Sequence, residues 1–174
     1  MYRGSLVKLR GYNEKDIPKL LHFINEPDIK KNIDSGIPYI YTRKDQEKIF
    51  EKRKENEDYI FAIESLDHGK FIGGACIKNI DWKNSHCEIA LFISPNNWGN
   101  GFGLDTLKIL LKFVFQQMNL NKIKLKAYSF NKRAQSIYKK IGFKEEGALR
   151  EEIFRDGEYH DEFIFGLLKK EYKI

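Results

Sequence analysis

Cysteine is scarce: the 174-residue chain has two, Cys76 and Cys87, each inside an apolar, strand-like stretch and with no CxxC pair between them. They read as reduced core residues, not as a disulfide or a catalytic thiol. The four histidines, His22, His68, His86 and His160, are scattered without ligand spacing, so no metal site is expected. No apolar run reaches the roughly 18 residues that a membrane span needs, and the opening "MYRGSLVKLRGY" has no secretory apolar region. A cytoplasmic protein without a membrane partner is expected. Internal repeats, linkers and low-complexity runs are also missing, so residues 1–174 read as one domain, long enough to bury a core without staples.

What is present is a balance of 41% apolar and 32% charged residues, too much hydrophobe for disorder and too much charge for a membrane protein. The formal charge of +6 comes from lysines spread along the chain, as on the solvated faces of amphipathic elements. A positive surface also favours a polyanionic ligand, either a phosphorylated small molecule or a nucleic acid.

Periodicity orders the chain. "SLVKLRGY" alternates as a first strand, and "NEKDIPKLLHFIN" follows as a helix, with Ile17, Leu20, Leu21 and Ile24 on one side and Asn13 as cap. "EPDIKKNIDSGIPYIYT" has no clean period and reads as a loop or short broken helix, and "RKDQEKIFEKRKEN" is a charged helix. "DYIFAIES", "FIGGACIKNI" and "HCEIALFIS", joined by short turns, form an antiparallel meander. Leu104 to Met118 is a helix apolar nearly all round, "KIKLKAYSF" a strand, and "NKRAQSIYKKI" a short helix closed by Gly142. Two last strands meet at Asp156-Gly157, a strong hairpin signal. The fold class is α+β with one principal sheet.

The stretch "NNWGNGFGLDTLKILLKF" links a strand to the long helix through Gly99, Gly101 and Gly103. A helix N-terminus presents unpaired N–H groups and the positive end of the helix dipole, and glycines let an anion approach. No Lys-Ser/Thr follows, so this is not a P-loop, and the third glycine of GxGxxG is absent. The plain structural alternative is a tight turn.

"ISPNNWGNGFGLDTLKILLKF" resembles the acetyl-CoA pyrophosphate loop of the GNAT superfamily of N-acetyltransferases, Q/R-x-x-G-x-G/A after a strand. "NKRAQSIYKKIGFKEEG" is similar to the same superfamily's N-x-x-A-x-x-x-Y-x-K-x-G-F signature, and "GALREEIFRDGEYHDEFIFGLL" resembles the C-terminal hairpin of its RimJ/RimL-type branch. Three motifs in register cover nearly the whole chain. Trp98 departs from the general pattern, standing where Gln or Arg is usual; the resemblance tolerates it, since this branch often reads W-G-x-G there, but one possible polar contact to the phosphates is removed and the backbone donors must carry more.

The resemblance implies a mixed, mostly antiparallel sheet of about seven strands, with helices on both faces and a splay between the strands at 86–94 and 121–129. It implies acetyl-CoA as acetyl donor, with Phe92 and Ile93 pairing with the pantetheine arm. Trp98, Gly99, Asn100, Gly101, Phe102, Gly103 and Leu104 would hold the pyrophosphate, and Asn131 and Ala134 lie against the cofactor. Asn131 also suits a helix cap.

Attack on a thioester requires a neutral amine, and an amine with a pKa of roughly 10 is almost wholly protonated at pH 7. Strand alternation puts Glu88 on one face with His86, Ala90 and Phe92, where it resembles the strand glutamate that serves relatives as general base; a salt-bridged strand residue is the alternative. Tyr138, aligned with Asn131 and Ala134 on one helical face, would protonate or stabilise the departing thiolate, or else simply fill the core. N–H groups near Ile93 would polarise the thioester carbonyl.

The acceptor is expected to meet the loop bearing Glu26, Asp28, Lys30, Lys31, Asp34, Tyr39 and Tyr41, and the hairpin bearing Arg150, Arg155, Glu158, Tyr159, His160 and Asp161. A peptide N-terminus, polyamine, amino acid or amino sugar all fit; members of the family are often homodimers, and nothing in the sequence decides the oligomeric state. Two other classes stay open: an acyl-CoA-binding module without catalysis, and a nucleic-acid binder, which 14% aromatic content suggests but no RNP1 or finger motif supports.

Overall fold

The structure, a computed structural model, describes residues 2–33 and 36–173. Seven strands, β1 (Val7–Arg10), β2 (Tyr59–Ser65), β3 (Phe71–Asp81), β4 (His86–Ile93), β5 (Lys122–Tyr128), β6 (Lys144–Arg155) and β7 (Glu158–Leu168), build one sheet in the order β1-β2-β3-β4-β5-β7-β6. Every neighbouring pair is antiparallel except β4 and β5. The helices are α1 (Ile17–Asn25), α2 (Pro27–Ile33), α3 (Arg43–Glu55), α4 (Phe102–Gln116) and α5 (Lys132–Ile141).

Both faces of the sheet are covered, each by its own apolar cluster. Cys87 and Ile89 from β4 and Ile123 and Leu125 from β5 pack with Leu107, Leu110, Leu111 and Val114 of α4 and Tyr138 of α5. On the other face Ile17, Leu20, Phe23 and Ile24 of α1 and Ile29 of α2 pack with Ala62 and Phe71. Nine of the fifteen residues of α4 are buried, as its nearly continuous apolar run requires. Along α1, Phe23 is buried and stacks on Phe71 with centroids 5.7 Å apart, whereas Leu21, expected on the inner face, is only half-buried. Asn13 caps the short 3-10 turn Glu14–Asp16 that leads into α1, its N–H donating to Asp16 at 2.8 Å, and Asp16 is the cap of α1 itself.

The segment without clean period resolves into the seven-residue α2, with Pro27 as its first residue, and an irregular stretch over 36–42. Asp34, assigned to this segment from sequence, lies outside the described residues. Tyr39 and Tyr41 pack ring to ring at 4.7 Å, with the Lys30 ammonium 4.0 Å from the Tyr41 ring centre. The β6–β7 turn has Asp156 at φ 52 and Gly157 at φ 89, the two left-handed positions that a two-residue hairpin demands.

Three carboxylates, Asp105, Asp16 and Glu64, tie down the N-terminal segment. Asp105, in the first turn of α4 and 8% exposed, accepts from the N–H groups of Ser5, Leu6 and Val7 at 3.2, 2.8 and 3.0 Å. Arg10 is gripped by Asp16 at 2.6 Å and Glu64 at 2.5 Å. The guanidinium holds the Asp16 carboxyl below the usual carboxylate range, against the effect of burial.

Two outcomes follow from these ties. Asp105→Ala strands the buried Val7 N–H and is expected to cost about 2–3 kcal/mol, seen as an earlier urea midpoint at unchanged slope. A change within roughly 0.5 kcal/mol would show that the clamp is not stabilising. Because the Asp16 carboxyl is depressed in the fold, its stabilisation is present above the unfolded pKa and lost as pH falls through the folded one. The difference in stability between wild type and Asp16→Asn, measured by denaturation across pH 7 to 3, should therefore shrink toward acid; a difference independent of pH would contradict the ion pair.

Candidate active site

The parallel pairing of β4 and β5 covers three residues on each, His86 to Glu88 against Lys122 to Lys124. Beyond it β4 stays with β3 as far as Ile93, and β5 stays with β7 as far as Tyr128, so the two strands part and a wedge opens between them. Main-chain direction along β4 is set by alternation. Ser94 donates to the Ile72 carbonyl at 2.8 Å, so Phe92, Ala90 and Glu88 also exchange their bonds with β3. The groups turned into the wedge are therefore those of Leu91 and Ile93. Phe92, expected from sequence to pair with the pantetheine arm, turns its main chain toward Gly74, and Leu91 takes its place at the wedge.

The turn after β4 folds back on the strand, with the Trp98 indole donating to the Ile93 carbonyl at 2.6 Å. Gly99 and Gly101 both have φ of 82, a left-handed backbone that costs other residues about 1–2 kcal/mol. Gly101 caps α4, whose first helical bond runs from Asp105 N–H to the Gly101 carbonyl at 3.0 Å. The N–H groups of Phe102, Gly103 and Leu104 precede that bond and meet no protein acceptor among the described residues. Gly103 is a different case. A Cβ there would sit 3.7 Å from Ile137 Cδ1 and 3.9 Å from Ile93 Cγ1, ordinary contact, at a position where the GNAT pattern also admits alanine.

Asn131 caps α5: its side-chain oxygen accepts from the Ala134 N–H at 3.1 Å, leaving its amide NH2 to donate elsewhere. Gln135, one turn on and not singled out by the sequence, donates to the carbonyls of Tyr128 and Ser129 at 3.0 and 3.1 Å, tying α5 to the end of β5. Tyr138 is 9% exposed, edge-on to Phe165 at 5.5 Å. Burial pushes its hydroxyl up to about 12. Glu88 lies on the opposite face of the sheet, one carboxylate oxygen 3.0 Å from the Lys78 ammonium and the other accepting from the Asn79 amide at 3.0 Å. Its setting is the salt-bridged one that the sequence left as the alternative. Glu88, at the last paired position of β4 before the wedge, and Tyr138 thus lie on opposite faces of the sheet.

This arrangement defines a transferase that holds an extended, phosphorylated donor: main-chain groups along β4 for an arm, bare amides at a helix start for its phosphates. The comparisons name the donor. The acetyltransferase (GNAT) domain family matches residues 7–144. The chain is 30% identical over 172 residues to the spermidine N(1)-acetyltransferase of Vibrio cholerae, covering 97% of this chain and 96% of that one. It is 29% identical to the ribosomal N-acetyltransferase-like YdaF of Bacillus subtilis over 62% of this chain and 59% of that one. The crystal structure of the Vibrio cholerae spermidine N-acetyltransferase with CoA and spermine superposes with a TM-score of 0.86 at 27% identity, over 95% of this chain and 97% of that one.

The chain belongs to the GNAT acetyltransferase family. It is an acetyl-CoA-dependent N-acetyltransferase, with acetyl-CoA as cosubstrate. The bare amides of Phe102, Gly103 and Leu104 fit the diphosphate, and the wedge at Leu91 and Ile93 fits the arm. Among the described residues no helix is long and apolar enough to cross a membrane, and no cluster of three or more His, Cys, Asp or Glu is placed to hold a metal.

The two kinds of glycine should separate on mutation. Gly101→Ala is expected to cost about 1–2 kcal/mol in denaturation and to weaken CoA binding, because α4 can no longer start where it does. Gly103→Ala should change stability by less than roughly 0.5 kcal/mol. Equal costs at the two positions would contradict the assignment.

Proposed function

We propose that residues 1–174 act as one N-acetyltransferase domain that moves the acetyl group of acetyl-CoA to a primary amine by direct attack, with Glu88 as general base and Tyr138 at the leaving sulfur. What supports this most is the wedge between β4 and β5 with these two side chains on opposite faces of the sheet. When bound, acetyl-CoA supplies an activated acetyl thioester. An amine approaching from the Glu88 face must lose a proton that it holds by about 3 pH units at neutrality, about 4 kcal/mol. Both oxygens of Glu88 are already engaged by Lys78 and Asn79, so the proton reaches the carboxylate through water.

Tyr138 keeps its proton at neutral pH and has it to share. A thiol titrates near 8.5, roughly three to four units below a tyrosine at about 12, so complete transfer to the sulfur is uphill by about 4–5 kcal/mol. Stabilising the developing sulfur charge by hydrogen bonding is the role that these magnitudes favour, with solvent completing the protonation. Main-chain N–H groups at Leu91 and Ile93 orient the acyl carbonyl.

For the acceptor, the spermidine acetyltransferases among the relatives support a polyamine. A second reading, an acceptor that carries an acid beside its amine, is favoured by Lys124. This lysine lies in register with Glu88, and its ammonium meets only the His86 ring at 3.5 Å, with no carboxylate pairing it among the described residues. A homodimer belongs to the same proposal, supported by the exposed Phe154 and Tyr159 on the hairpin. So does a cytoplasmic setting, which the free thiols of Cys76 and Cys87 support.

Incubation with acetyl-CoA and a panel of amines, spermidine and amino-terminal peptides included, should release free thiol and add one acetyl group to at least one acceptor by mass spectrometry. In that assay Tyr138→Phe is expected to lower kcat about 10–100-fold at unchanged KM for acetyl-CoA. Glu88→Gln should lower the rate near pH 7 and recover toward pH 10, where the amine is free without help. Full turnover by the phenylalanine variant, or a loss in the glutamine variant that persists at high pH, would refute the respective role.

A further inference from the structure

We propose that Arg133 supplies the cationic contact to the CoA diphosphate that is lost where Trp98 replaces the usual Gln or Arg. The inference rests on the cofactor assignment above and goes on to a residue outside the glycine loop. Trp98 is fixed by its bond to the Ile93 carbonyl, at the point where β4 gives way to the loop. The Arg133 guanidinium lies 3.5 Å from the centre of the indole ring, in stacking range. Position 98 therefore carries no charge of its own but serves as the platform for one.

Packing brings α5, the helix that carries Arg133, against the start of α4. Arg133 is the second residue of α5, and Ile137, one turn further on the same face, reaches within 3.7 Å of where a Cβ on Gly103 would be. Arg133 thus stands about one helical turn, roughly 6 Å, along α5 from the contact that seats this helix against the first turn of α4. Trp98, on which the guanidinium rests, leads directly into the loop that ends in the bare N–H groups of Phe102, Gly103 and Leu104.

The guanidinium is also available. No carboxylate pairs with Arg133 and none of its N–H groups meets a protein acceptor among the described residues. The nearby carboxylate, Asp28, is held by Lys31 at 2.7 Å; its lowered pKa comes first from that bond and only last from Arg133. A planar, always-charged fork stacked on an aromatic ring and lacking a partner is suited to bidentate phosphate binding.

The test is calorimetric titration of the full chain with CoA, with 3′-dephospho-CoA and with pantetheine, which lacks the diphosphate. Arg133→Ala and Arg133→Gln should each weaken CoA about 10–100-fold, and should weaken 3′-dephospho-CoA by the same factor. Pantetheine should bind each variant as it binds wild type, and the thermal midpoints should stay within roughly 3 °C of wild type. CoA affinity within twofold of wild type would overturn the proposal. So would a loss confined to CoA and absent with 3′-dephospho-CoA, because it would place the arginine at the 3′-phosphate, and so would an equal loss with pantetheine, which would mark a structural role. Failure of wild type to bind CoA at all would bring down the cofactor assignment first and this one with it.

Discussion

β4 and β5 can lie side by side in parallel only because the chain leaves the sheet between them, crosses through α4 and returns. Their pairing ends after three residues, and everything chemical in the molecule follows from that early parting. β4 remains bound to β3 on one side and β5 to β7 on the other, so the two halves of the sheet are each complete while the seam between them is open. Open seams leave main-chain groups without partners, which is costly unless a ligand or water takes them. Here the unpaired groups of β4 lead along the strand directly to the unpaired amides of α4.

Holding that geometry falls to residues that are not themselves reactive. Gly99 and Gly101 supply the left-handed backbone that turns the chain from strand to helix, and Trp98 ties the turn back to the strand end. Asp105 does two things from one position: its carboxylate complements the positive end of the α4 dipole, and it fixes the segment leading into β1. Gln135 and Asn131 anchor α5, and with it Tyr138, on the face of the sheet opposite Glu88. The site is thus assembled from elements whose packing is independent of any ligand, which keeps the cost of organising it on binding low.

Much of this was legible in the sequence because it is local. Alternation along "HCEIALFIS" and "KIKLKAYSF" set the buried faces, the apolar run set α4, and Asp156-Gly157 set the last hairpin. The loop glycines and the Asn131, Ala134 and Tyr138 spacing brought the cofactor-binding region to view through family resemblance. What escaped was long-range or directional. The Asp105 clamp joins residues about a hundred positions apart, and nothing in either segment signals it. The exchange of Leu91 for Phe92 at the wedge depends on which pairs of an antiparallel ladder carry the hydrogen bonds, and side-chain alternation is silent on that. Lys78 meets Glu88 across a turn, so the choice between a free and a salt-bridged carboxylate needed the pairing of β3 with β4.

The central claim is that bare main-chain amides along the end of β4 and at the start of α4 receive CoA. Backbone NMR of the 15N-labelled chain, titrated with CoA, tests it residue by residue. The account predicts that the amide signals of Leu91, Ile93, Phe102, Gly103 and Leu104 shift and gain protection from exchange, ahead of the amides of α1 to α3. If CoA leaves these five unmoved, or protects a different surface, the account is contradicted.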